Sequence, residues 1–289
     1  MVAGAGTVDS HQHFWQLDRF HYAWMSPEQK AIRRDFVPSD LRPVLDAAGI
    51  DRTVVVQAHQ SVEETRWLLG LADEHPWIAG VVGWVDLTAP DVGDTLDELC
   101  QHPRLKGIRH IVHDEQDDRW IVRPDVMRGL GEVARRGLTY DLLFRPQHLA
   151  CAQPIADRWP ELRLVVDHIA KPLIRQGIRE PWARDIAAVA RIPGVHCKLS
   201  GMVTEADHAA WKPSDLEPYV AHVLEHFGPE RLMFGSDWPV CLLAASYRRV
   251  VEALDECLRA NGVGSSDRAR IFGANAASFY GLDDGTATR

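Results

Sequence analysis

Cysteine is scarce in this sequence: Cys100, Cys151, Cys197, Cys241 and Cys257 are the five in a chain of 289 residues. Their number is odd, they are scattered, and no two have CxxC or zinc-knuckle spacing. That excludes a disulfide-built scaffold and a cysteine zinc module, and predicts reduced, mostly buried thiols in a cytoplasmic protein. No apolar run approaches the roughly 18 residues that a membrane span requires. The opening MVAGAGTVDSHQHF has no basic segment leading into an apolar one, so no secretory signal is predicted. Positive charge is also in short supply. Lys and Arg number 32 against 41 Asp and Glu, a net charge of −9, whereas a protein that tracks a phosphate backbone needs a basic surface. The expected partner is therefore a small molecule, with neither nucleic acid nor membrane. That molecule can still be anionic, because one local Arg inverts the field inside a pocket. Repeats, low-complexity tracts and long Pro/Gly/Ser linkers are missing, which predicts a single domain over 1–289.

What is present is core material. Hydrophobic residues make up 46 % of the chain and charged ones 25 %, a balance that suits a packed globule rather than disorder. Eight short apolar runs read as strands: 7–13, 52–58, 78–85, 105–112, 138–144, 163–169, 195–200 and 231–236. They are apolar on both faces, as strands of a parallel sheet covered on both sides are. Amphipathic stretches at 39–48, 62–75, 123–136, 214–227 and 246–260 lie between them, with Ser or Asp at several starts and Gly or Pro past the ends. The class is α/β. Eight such units at this length favour a closed (β/α)8 TIM barrel over an open doubly wound sheet, which would show a glycine-rich phosphate turn after its first strand. Here the first strand runs into HQHFW.

A barrel of this kind keeps its chemistry at the C-terminal ends of its strands. Strand one ends in His11-Gln12-His13, and residues two apart on a strand face the same way, so both imidazoles are expected at the barrel mouth. Strand six ends in Asp167-His168, and strand eight runs into Gly235-Ser236-Asp237-Trp238-Pro239. His11, His13, His168 and Asp237 form the expected catalytic set, with Asp237 as a base or a metal ligand. Arg109, at the end of strand four, is a further cation that can grip a substrate oxygen with its planar fork. Trp15, Trp24, Gln57 and Trp238 follow or flank other strand ends and suit a polyol ring, although each Trp alone is equally explained by packing. Asp141 is an acid inside an apolar strand and must find a partner; a substrate hydroxyl is one. His110 and His113 are weaker candidates, the acidic stretch 114–119 reads as a solvated loop, and no role follows for Lys171 or Lys198.

The segments VDSHQHFW, KGIRHIV, VVDHIAKP, CKLSG and RLMFGSDWPV, in this order, resemble the amidohydrolase superfamily over nearly the whole chain. The resemblance is to the branch with the sugar lactonases, such as L-fuconolactonase and L-rhamnonolactonase, and 2-pyrone-4,6-dicarboxylate lactonase. It implies an amidohydrolase-like barrel and hydrolysis of a small lactone to its acid, with Asp237 activating water against a carbonyl polarised by His11, His13 and His168. The family's two-metal members have a Lys or Glu on strand four and a His on strand five. Here strand five has no His, and Lys106 lies at the wrong end of strand four. A two-metal centre is therefore not expected. No cofactor is required on this reading, though a single zinc held by His11, His13 and Asp237 is chemically possible. Few Arg residues stand at strand ends, which favours a neutral sugar lactone, such as an L-fucono- or L-galactono-lactone, over a dicarboxylate. The competing reading is a zinc-dependent amidohydrolase or nonoxidative decarboxylase on the same fold.

Overall fold

The computed structural model describes residues 6–282. All eight expected strands form: β1 (Val8–Gln12), β2 (Arg52–Val56), β3 (Ile78–Gly83), β4 (Leu105–His110), β5 (Thr139–Leu142), β6 (Arg163–Val166), β7 (His196–Leu199) and β8 (Leu232–Phe234). They make one parallel sheet in the order β1 to β8. Its two edges meet at the mouth. Gln12 and Trp238 form a parallel bridge, the His13 N–H donates to the Trp238 carbonyl (2.7 Å), and the Asp237 N–H donates to the His11 carbonyl (2.8 Å). The sheet thus closes into a (β/α)8 barrel, and the same backbone bonds that close it set His11, His13 and Asp237 side by side at the ends of the first and last strands.

Every strand residue from Val54 to Val56 is buried, as are all of β1, β3, β5 and β8, because helices cover the outside and side chains fill the inside. Val8, Val54, Val56, Val82, Val165 and Met233 form the inner cluster, sealed by Phe279 and Tyr280 of the C-terminal helix Asn275–Tyr280 and by Leu282 just after it. Asn275 pins that helix by donating to the carbonyls of Pro229 and Leu232, both at 2.7 Å. Among the described residues no helix is long and apolar enough to cross a membrane.

The periodic helices appear as read: Pro38–Ala48, Val62–Glu74, Pro124–Arg135, Pro213–Phe227 and Tyr247–Ala260. Shorter ones, such as Val92–Leu99, Ala152–Arg158 and Trp182–Ala190, offer too few turns for a clear apolar period. Several strands stop earlier than their apolar runs. The sharpest case is 163–169, where β6 ends at Val166 and His168, Ile169, Ala170 and Lys171 follow with φ of 53, 47, 59 and 51°. Left-handed backbone at a residue other than glycine costs about 1–2 kcal/mol each, and none of the four is Gly or Asn. The turn is held by the Lys171 N–H on the His168 carbonyl (2.8 Å) and by the Trp182 indole N–H on the Ile169 carbonyl (2.6 Å).

The seal on the barrel floor can be tested by volume deletion. Phe279→Ala is expected to lower unfolding free energy by about 3–5 kcal/mol, read from urea transitions beside the parent protein; an unchanged midpoint would contradict the packing described.

Candidate active site

The four residues singled out at the strand ends converge. Asp237 Oδ1 lies 3.3 Å from His13 Nε2, 3.8 Å from His11 Nε2 and 4.0 Å from His168 Nε2. All four side chains are buried. His11 and His13 indeed face one space: their Nε2 atoms are 3.2 Å apart. Two glycines make room for this. A Cβ on Gly235 would stand 2.7 Å from the Cβ of His11, and one on Gly201, whose φ is +62°, would stand 2.6 Å from Nδ1 of His168.

Each imidazole has an outer partner. His13 Nδ1 faces the Val56 carbonyl at 2.7 Å. A carbonyl only accepts, so Nδ1 carries a proton. His168 Nδ1 meets the Ser200 hydroxyl at 2.8 Å. His11 is enclosed by two cations, with Lys198 Nζ 3.1 Å from Nδ1 and Arg109 Nη1 3.2 Å from Nε2. Burial first, then Lys198 and Arg109, hold His11 well below the ordinary imidazole range, and Asp167 offsets this only in part. Burial also drives His168 well below that range against the pull of Asp237. Burial raises the Asp237 carboxyl, but His168 and His13 outweigh it, so the group stays below its usual value and ionised. At neutral pH the centre therefore holds uncharged rings at His11 and His168 around one carboxylate.

Beneath it lies a buried ionic layer. Lys198 Nζ donates to Asp141 Oδ2 (2.6 Å) and lies 3.0 Å from Asp167 Oδ1. Arg109 Nη1 donates to Asp167 Oδ2 at 3.1 Å, and its Nη2 donates to the Gln57 carbonyl. The Tyr280 hydroxyl closes the layer on Asp141 Oδ2 at 2.8 Å. Lys198, Asp141 and Asp167 have no exposed side-chain surface. Burial pushes Asp141 up to about 6.

Above the centre is a cavity of about 120 Å³, lined by His13, Arg109, His168 and Asp237, with Trp24, His113 and Lys171 among its wall residues. The floor side chains of His13, His168 and Asp237 are 3–5 % exposed, against 15 % for His113 and 20 % for Lys171. Four residues expected to touch substrate do not line this cavity. Trp15 is buried, with its indole N–H on the Arg34 carbonyl. Trp238 packs between Phe14 and Phe36. Gln57 supports Arg109, donating to its carbonyl at 3.2 Å. Asp141 has Lys198 and Tyr280 as partners instead of a hydroxyl of the substrate. His110 stacks on Trp120 (3.9 Å between centroids) and meets Glu115 at 2.7 Å, so part of the acidic stretch is engaged rather than solvated. The wall residue Lys171 and the buried Lys198 had no role in the sequence reading, and His113, also on the wall, was a weaker candidate. Lys171 and Lys198 both lie in segments that carry the family resemblance, VVDHIAKP and CKLSG, which was the signal available for them.

The centre also suits a metal. His11, His13 and Asp237 each offer one ligand atom, all within 4.8 Å of one another. A carbonyl partner on the far nitrogen of His13 is the outer bond that orients a metal-binding imidazole. Two nitrogen donors and a carboxylate form a zinc-class set.

A model of the Amidohydrolase family matches residues 8–282. The chain belongs to this amidohydrolase family. It is 41 % identical over 280 residues to an L-fucono-1,5-lactonase of Burkholderia ambifaria, covering 96 % of each chain. An L-fucono-1,5-lactonase of Burkholderia multivorans is 37 % identical, with 97 % of this chain and 98 % of the relative covered. A crystal structure of an amidohydrolase from Burkholderia multivorans with bound zinc superposes with a TM-score of 0.91 at 36 % identity, over 96 % of this chain and all of the other.

The electrostatic reading of this amidohydrolase centre has a direct spectroscopic test. In 15N NMR of the ring nitrogens, His11 and His168 are expected to remain neutral as the pH falls from 8 to 5.5, because their protonation lies well below the usual value. Imidazolium shifts for either ring at pH 6 would contradict it.

Proposed function

We propose that this chain is a lactonase that hydrolyses a small, neutral sugar lactone, such as an L-fucono- or L-galactono-lactone, to the sugar acid. The observation that carries the reading is an ionised carboxylate, Asp237, held within 4.0 Å of three imidazoles at the floor of a cavity. Two relatives of matching length named as L-fucono-1,5-lactonases support the substrate class.

Asp237 takes a proton from a water molecule as the water oxygen bonds to the lactone carbonyl carbon. Charge develops on the carbonyl oxygen, and imidazole N–H groups fixed in place beforehand stabilise it. When His168 Nδ1 accepts from the Ser200 hydroxyl, its proton is on Nε2, on the Asp237 side. The ring C–O bond then breaks, and protonated Asp237 returns the proton to the leaving alkoxide. The product acid ionises and releases a proton to solvent. A zinc-class ion held by His11, His13 and Asp237 would supply Lewis-acid polarisation of the same carbonyl, and the zinc-bound relative gives that second reading its support. His113 and Lys171, on the more exposed wall, face the part of the ring remote from the reacting carbon. Trp24 offers an apolar face for its C–H groups.

Acid release from fucono-, galactono-, rhamnono- and arabinono-lactones, with and without chelator, tests the proposal. Hydrolysis of at least one sugar lactone is expected, and no turnover across the panel would overturn it. Loss of activity on chelation with recovery on adding zinc would replace the metal-free form by the zinc form. A second outcome concerns the oxyanion donors: His168→Asn is expected to lower kcat by about 10²–10³-fold with little change in KM, since the interaction strengthens in the transition state. A change confined to KM would assign His168 to binding.

A further inference from the structure

The helix Pro213–Phe227 lies on the outside of the barrel between β7 and β8 and ends in the segment His222-Val-Leu-Glu225-His226. Residues four apart stand one above the other on a helix face. The two imidazole centroids are 4.5 Å apart, and one ligand atom each from His222, Glu225 and His226 lies within 4.8 Å of the others. Glu225 is exposed and both histidines are half-buried, so the group is open to solvent on one side.

His222 is more than an exposed ring. Its Nε2 faces the Ala183 carbonyl at 2.8 Å. The carbonyl can only accept, so the proton is on Nε2 and the lone pair is on Nδ1. The ring is further held against Trp182, with centroids 5.3 Å apart. A backbone carbonyl on the distal nitrogen is the arrangement that fixes tautomer and orientation in metal-binding histidines. The donors are two imidazole nitrogens and one carboxylate oxygen, which select zinc, nickel or copper over calcium and magnesium, ions that favour oxygen.

We propose that His222, Glu225 and His226 form a second metal site, on the outer helical layer, for a borderline divalent ion of the zinc class. The site completes its coordination with solvent and shares no residue with the centre built on His11, His13 and Asp237. It does not depend on the lactonase reading. One consequence is practical: total zinc content of the protein overstates occupancy of the catalytic centre, because one equivalent binds elsewhere.

The test uses full-length protein stripped with chelator and titrated with Zn²⁺ by calorimetry, with bound metal counted after dialysis. His226→Ala is expected to lose one equivalent, or to bind it more than about 100-fold more weakly, since loss of an outer partner alone costs a metal site about 10–100-fold. Glu225→Gln, a conservative change at an exposed position, is expected to weaken the same equivalent and no other. In the Asp237→Asn protein the outer equivalent remains. Substoichiometric Cu²⁺ should broaden the ring resonances of His222 and His226 in NMR, a readout that activity does not enter. Thermal melts of the stripped proteins confirm that each variant folds. Equal stoichiometry and affinity in the parent and His226→Ala would overturn the proposal. So would a parent that binds only the equivalent removed by Asp237→Asn.

Discussion

A lysine side chain with no exposed surface sits inside this barrel, and the rest of the candidate site rests on it. Placing a lone charge there would cost several kcal/mol. Lys198 is tolerated because Asp141 and Asp167 surround it and Arg109 completes the balance on Asp167. These groups come from β7, β5, the end of β6 and β4, and Tyr280 ties them to the C-terminal helix. The layer is thus a cross-brace between strands that hydrogen bonding in the sheet joins only to their neighbours. It also sets the chemistry above. Lys198 and Arg109 face the two nitrogens of His11, so that ring stays uncharged, and the carboxylate at the cavity floor is Asp237.

The second constraint is backbone geometry. Closing the barrel between β1 and the segment after β8 brings Asp237 beside His11 and His13 through two short amide bonds. The left-handed run from His168 to Lys171 turns the chain abruptly after β6, placing one member at the floor of the cavity and another on its wall. Strain of that size in four consecutive residues persists where surrounding structure over-determines it, and it is typical of functional sites.

Much of this was legible in the sequence. Apolar runs on both faces gave the eight strands, and the strand-end rule of barrels then located His11, His13, His168 and Asp237, because HxH on a strand and an acid after a glycine are local patterns. What escaped were relations between distant residues. Asp141 was recognisable as an acid needing a partner, but that partner, Lys198, is 57 residues away, in a CKLSG segment that carried the resemblance without suggesting a role. Trp15 and Trp238 were aromatic and near the mouth, yet the pleat turns them into packing against Phe36. Trp24, further along the loop, reaches the cavity instead. The left-handed turn had no glycine to announce it.

The central claim is that Asp237 is the base that activates water. The most direct measurement is single-turnover hydrolysis of the best lactone by Asp237→Asn beside the parent. The account predicts a rate constant lower by about 10²–10⁴-fold, the usual contribution of a positioned base, with the lactone still bound. A rate within a few-fold of the parent would contradict it.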